Sequence, residues 1–226
     1  MKYFKRYILK QFNIKAFTLA EVLVTLTIIG VIAALTVPQL IQKTDDQQLR
    51  VKWKKTFSDI QHATDYMSST SGIDFTSYAT MRASYGTILN FVKEDSWGNI
   101  SGLFYTYYKN TTSSGWNSAG IGWASAVLSD GTFVLFSDVV GDTTCSATIG
   151  SINNMCAKIF VDTNGKNGPN MYGKDFFDLI IIKSNGNYEA IPAGSNGDGQ
   201  SCAAGSTTWT TSEGCSTVAL SDGPMP

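Results

Sequence analysis

The sequence predicts an α+β protein: a long N-terminal helix packed on an antiparallel sheet of about four strands, with a disulfide-held C-terminal loop region. Three observations carry this. Phe17–Val37 is an apolar run of 21 residues in which Glu21 is the only ionisable group. Helical periodicity continues from Gln39 to Ser69, now with one polar face. Beyond it, apolar segments alternate with Gly- and Asn-rich turns, and all four cysteines fall in this last part.

The opening segment sets the topology. About 20 apolar residues span a hydrocarbon core as a helix. Ahead of them, Met1–Ala16 carries Lys2, Lys5, Arg6, Lys10 and Lys15 and no acid, a formal charge of +5 that leaves −6 for the rest of the chain. Basic flanks stay on the cytoplasmic side. Lys43, Arg50, Lys52, Lys54 and Lys55 follow the span and weaken that asymmetry, which Asp45 and Asp46 restore only a little. A cleaved secretory signal has an apolar core of about 7–15 residues and then a small-x-small site. Here the run is longer, and "LTVPQL" offers no such site. A plain signal anchor fits the length but leaves Glu21 unexplained. A carboxylate in the bilayer interior costs at least ~2.5 kcal/mol and calls for a partner.

The stretch "KAFTLAEVLVTL" closely resembles the prepilin leader and cleavage site of type IV pilins and type II secretion pseudopilins. That pattern is a short basic leader, a small residue, then Phe-Thr-Leu-x-Glu opening a long apolar helix. The resemblance implies cleavage between Ala16 and Phe17 by a prepilin peptidase, on the cytoplasmic side, and methylation of the new Phe17 amine. Ala16 departs from the Gly usual in the family. The resemblance also implies a partner for the acid: in a filament, Glu21 of one subunit lies beside the Phe17 amine of another. Pro38 matches a place where the family's helix bends or locally melts. Proline removes a helix hydrogen bond and crowds the preceding turn, and Gly30 adds a weak position of modest cost.

On this reading residues 1–16 are a leader peptide and 17–37 a transmembrane and filament-core helix. Residues 38–69 are its amphipathic continuation, and 70–226 a C-terminal globular domain. The implied partners are the prepilin peptidase, further copies or other pilins in a filament, and an inner-membrane assembly platform. The implied location is the bacterial inner membrane, single-pass with the N-terminus cytoplasmic, and then a surface or periplasmic filament. Glu21 fits a bulk subunit, because tip-initiating members of the family sometimes lack it.

From Gln39 onward Leu40, Ile41, Leu49, Trp53, Phe57, Ile60, Ala63 and Met67 recur mostly at three- and four-residue intervals, the stripe of a helix that packs on a domain. Residues 68–122 are rich in Ser, Thr and Gly and read as an exposed connection, with one short helix at Ile88–Lys93 and a strand at Leu103–Tyr108. Asn110 opens an "NTT" sequon. "WASAVLSDGTFVLFSDV" reads as a hairpin turning at Ser129-Asp130-Gly131. Two more strands are expected at Lys158–Val161 and Phe176–Ile182, separated by a turn containing Gly165, Gly168, Pro169 and Gly173.

Cys145, Cys156, Cys202 and Cys215 lie on the oxidising side of the span, and an even count there favours disulfides. Four cysteines allow three pairings. Loop-closure entropy favours the short loops Cys145–Cys156 and Cys202–Cys215. Pilins often close their C-terminal region with such a bridge, and several use that region for surface contacts.

In "DTNGKNGPNMYGKD", Asp162, Asn164 and Asp175 offer hard oxygen donors that suit calcium, and major pseudopilins bind calcium in a C-terminal loop. The run departs from the EF-hand pattern, with Lys166 in the fifth place and Asn167 in the sixth. An Asx-type turn uses the same residues. No nucleic-acid footprint stands out downstream of the leader. No catalytic constellation emerges either: His62 is the only histidine, and nucleophile-elbow and phosphate-loop patterns are missing. The sequence therefore reads as a structural subunit of a type IV pilus or type II secretion pseudopilus rather than an enzyme. The alternatives are a membrane-anchored extracytoplasmic binding protein or enzyme, and a minor pilin for DNA uptake or adhesion.

Overall fold

The structure is a computed structural model that describes residues 17–96, 124–137, 144–165, 167, 173–194, 201–202 and 214–221. It divides into a unit of residues 1–44 and a unit of residues 45–226. The expected strand at Leu103–Tyr108 and the Asn110 sequon lie outside the described residues.

The first unit is described by the start of helix α1 (Leu19–Ser69), which runs without interruption through Pro38. Its apolar side chains, from Leu19 to Ile41, are exposed on every side. The threonines turn their hydroxyls back onto the helix: Thr25 Oγ1 donates to Val22 O (3.0 Å), Thr27 to Leu23 O (2.8 Å) and Thr36 to Ile32 O (3.0 Å). A segment in hydrocarbon must satisfy its polar groups internally, and these do.

In the second unit α1 is amphipathic. Trp53, Ile60, Ala63 and Met67 are buried, while Val51, His62 and Tyr66 are exposed. Leu40 and Ile41, which the periodicity places in the same stripe, are exposed in the first unit. Helix α2 (Tyr78–Leu89) follows a capping box in which Ser77 and Thr80 exchange side-chain and backbone bonds, and ends at Asn90 in the left-handed region. It replaces the short helix expected at Ile88–Lys93, part of which is instead β1 (Lys93–Ser96).

The strands after β1 are β2 (Ala124–Val127), β3 (Phe133–Ser137), β4 (Ala147–Ile149), β5 (Ile152–Asp162), β6 (Phe176–Ser184) and β7 (Asn187–Pro192). They make one antiparallel sheet in the order β1-β2-β3-β5-β6-β7, with β4 pairing on β5. This gives seven strands among the described residues, not about four. The additional ones carried weak or unread signals. β1 reads "KEDS", β4 has three residues, and β7 follows a two-residue turn whose signature is plain: Asn185 and Gly186 have φ of 52° and 86°, the type I′ pattern of Asn-Gly.

Strand β5 from Met155 onward and strand β6 through Ile182 are buried on both faces, which is why Ile159–Val161 and Leu179–Ile182 read as short apolar runs rather than alternating ones. One face, with Ala157, Ile159, Val161, Phe177, Leu179 and Ile181, joins the core of α1 and α2. There Trp53 stacks on Phe177 at 4.8 Å, and Tyr85 bonds its buried hydroxyl to Thr64. On the other face Phe160 stacks on Phe176 at 5.7 Å, and Ile180, Ile182, Ile191 and Met155 form a smaller cluster.

Helix α3 (Cys215–Leu220) closes the unit against α1 and β6. Trp53 Nε1 donates to Ser216 O (3.1 Å), and Arg50 Nη2 donates to Val218 O (3.3 Å) and Ser221 O (3.0 Å); Val218 O also accepts the Ser221 N–H (3.2 Å) at the C-terminal end of α3. Ser216 Oγ accepts the Asp178 N–H (2.8 Å) and donates to Asp178 Oδ1 (2.9 Å). Gly194, at φ +90°, lies so close to Gly214 that a Cβ would sit 2.5 Å from its carbonyl oxygen.

Replacing Trp53 removes the largest fully buried side chain among the described residues, together with its bond to α3. Trp53→Ala should therefore cost about 3–5 kcal/mol, read as a lower midpoint in chemical denaturation of the full-length chain in detergent.

Candidate functional site

The start of α1 is built from two residues three positions apart. Thr18 stands just outside the first helical residue, and Glu21 is the third residue inside. Thr18 N–H and Thr18 Oγ1 both donate to Glu21 Oε2, each at 2.8 Å. In return Thr18 Oγ1 accepts the Glu21 N–H at 3.2 Å. This is a capping box: each side chain satisfies a backbone donor that the first turn of a helix cannot. The negative charge also sits at the positive end of the helix dipole. The structure thus gives Glu21 a partner within its own chain, where the sequence reading looked only to a neighbour. Thr18 is the functional candidate that reading missed. Thr-x-x-Glu ahead of an apolar run is the signal that would have found it.

Phe17 is exposed beside this cap, and Ala16 lies outside the described residues. Pro38 sits within α1.

The cysteines are paired as Cys145–Cys156 and Cys202–Cys215. The first bridge ties β5 to the residues leading into β4, and the second pins the start of α3. Cys156 and Cys215 are fully buried.

The turn after β5 brings Asp162, Asn164 and Asp175 to one place. Asp162 and Asp175 are buried. Asp162 Oδ1 accepts the Asn164 N–H (3.1 Å), and the Asp175 carbonyl accepts both the Thr163 N–H (2.8 Å) and the Thr163 hydroxyl (3.1 Å). Lys52 Nζ, from α1, donates to Thr163 O at 3.3 Å. Burial, reinforced by the charge of Asp175, pushes the Asp162 carboxyl up to about 8; bonds from Asn164 and Gly165 and the Lys52 charge oppose it. Calcium takes six to eight oxygens. The described residues supply two carboxylates and one amide, and among them no group of three or more His, Cys, Asp or Glu side chains is placed to hold a metal.

His62 is exposed on α1. Glu94 is ion-paired with Arg82 of α2 at 3.2 Å. Neither joins a catalytic set among the described residues.

These parts define a class: an α+β domain stapled by two disulfides, carried on a helix whose apolar start is long enough to span a bilayer. Residues 12–37 match the family model described as the prokaryotic N-terminal methylation motif, the processing signal of type IV pilins and pseudopilins. The motif supports a pilin-like processed substrate and implies prepilin processing and pilin-type assembly, and together with the apolar helix it fits membrane anchoring. No curated protein and no solved structure matches it.

The raised Asp162 pKa has a definite sign in stability. The folded protein keeps a proton that the unfolded chain releases near the ordinary value of 3.8, so this contribution is complete below that value and is lost as pH rises through about 8. Melting curves of the full-length chain in chelator should show a falling midpoint from about pH 5 to about pH 9, and Asp162→Asn should flatten that decline.

Proposed function

We propose that this chain is a structural subunit of a type IV pilus or a type II secretion pseudopilus, made as a prepilin. A prepilin peptidase cuts between Ala16 and Phe17 and methylates the Phe17 amine. Before assembly the subunit rests in the inner membrane through residues 17–37, with its N-terminus in the cytoplasm and its domain outside. Assembly on an inner-membrane platform draws the helix into a filament core made of further copies or related subunits. There Glu21 lies beside the Phe17 amine of a neighbour. Two groups that are each costly in an apolar medium neutralise one another.

The observation that carries this reading is the exposed apolar start of α1 with a single acid in its first turn. A solvent other than water must cover it, and lipid and the helices of other subunits are equivalent covers. The two disulfides and the Ser/Thr-rich connection suit life outside the cell, which favours a pilus over a pseudopilus. No catalytic role is proposed.

Two measurements test this. Co-expression with a prepilin peptidase should give a mature chain beginning at Phe17, and a mass retaining Met1 would sink the processing step. Glu21→Ala should leave the chain in the membrane fraction while sheared filaments fall at least several-fold; normal filaments would refute the charge pairing.

A further inference from the structure

We infer that the Cys202–Cys215 bridge is open to exchange with an external dithiol, with Cys202 as the attacked sulfur, and that opening it undocks α3 while Cys145–Cys156 stays closed.

The two bridges differ in access. Cys145 is 2% exposed and Cys156 0%, and both belong to the core that α1 and α2 share with the sheet. A thiol reaches that pair only after the sheet has opened. Cys215 is also 0% exposed, but its partner Cys202 is half-buried, alone among the four cysteines in keeping contact with solvent. Exchange requires a thiolate to reach one sulfur of the bridge, and Cys202 is the one within reach.

The step balances with a dithiol as its only co-reactant. One thiolate of the reductant bonds to Cys202 Sγ, the Cys202–Cys215 bond breaks, and Cys215 leaves as a thiolate that takes up a proton. The reductant's second thiolate then attacks the mixed disulfide at the reductant's own sulfur. Cys202 is released as a thiol, the reductant becomes a disulfide, and the chain has gained two electrons and two protons. The partner this chemistry fits is a protein carrying a reactive dithiol.

The mechanical consequence is set by α3. Six residues are too few for a stable helix. The helix is held through Thr217 N–H to Ala193 O (3.1 Å) and through Ser216 Oγ, which accepts the Asp178 N–H (2.8 Å). Asp178 stands one residue beyond the Leu179–Pro192 pair, where the β6–β7 ladder ends. A cross-link between positions 13 apart favours the docked helix about a hundredfold through loop closure. Without it α3 comes away, freeing the edge of β6 and the Trp53 indole that bonds Ser216 O. Cys145–Cys156 sits instead beside the β4–β5 pairing and stays shut through this motion.

Three readouts on the full-length chain in detergent test this. Under limiting dithiothreitol followed by alkylation, peptide mass mapping should find Cys202 and Cys215 labelled at least about tenfold faster than Cys145 and Cys156. Reduced glutathione, which has one thiol, should leave its adduct on Cys202 and a free thiol at Cys215. In the half-reduced chain, amide hydrogen exchange should rise about a hundredfold at Asp178 and Thr217, stay slow at Ile159 and Val161 of β5, and return to its starting values on reoxidation. Equal labelling of the two bridges, earlier opening of Cys145–Cys156, or an adduct on Cys215 overturns the inference. So does a half-reduced chain in which Asp178 and Thr217 stay protected, or one in which the β5 amides exchange as fast as they do.

Discussion

The bond from the Trp53 indole to the Ser216 carbonyl is the constraint on which the folded unit depends. It joins α1 to α3 directly, within the one core that both helices share with the sheet. Trp53 is wholly buried, stacked on Phe177 of β6 and tilted against Phe57 one turn further along α1. An indole N–H is a donor with no alternative when buried, so the carbonyl it reaches must be fixed. Fixing it takes the rest of α3. Ser216 is tied by two hydrogen bonds to Asp178, Thr217 donates to Ala193 O, and Arg50 holds the carbonyls at the helix end. A helix of six residues has almost no stability alone. The Cys202–Cys215 bridge at its start supplies what its length cannot, by limiting where the unfolded chain can carry it.

The same helix that provides Trp53 begins under opposite rules. In the domain half, α1 buries one stripe and leaves the other wet. In the first half there is no stripe, because apolar side chains are exposed all round. Such a helix is stable in hydrocarbon only if its own backbone and hydroxyls are satisfied within it, and Thr25, Thr27 and Thr36 meet that condition through bonds to preceding carbonyls. Pro38 cannot donate, so the carbonyl of Ala34 loses its usual helical donor there. The helix nonetheless continues, as membrane helices do when neighbouring bonds hold the chain.

The long helix, the β2–β3 hairpin, and the β5 and β6 cores were legible because each has a strong local signal: length without charge, Ser-Asp-Gly between apolar arms, runs such as Phe176–Ile182. The end of α1 at Ser69 agrees with the periodicity read from Gln39 to Ser69. What was not legible depends on tertiary pairing. β1 is a charged tetrapeptide that becomes a strand only because Val127 through Ala124 lie opposite. β4 is held to β5 beside the Cys145–Cys156 bridge. α2 was misplaced because Ser77 and Thr80, a capping box without Glu, sit in a Ser/Thr-rich stretch that looks like loop. At the candidate site Glu21 stood out by its charge and by the Phe-Thr-Leu-x-Glu pattern, whereas Thr18 is one of several threonines nearby and is marked in the sequence only by standing three residues ahead of Glu21 before the apolar run.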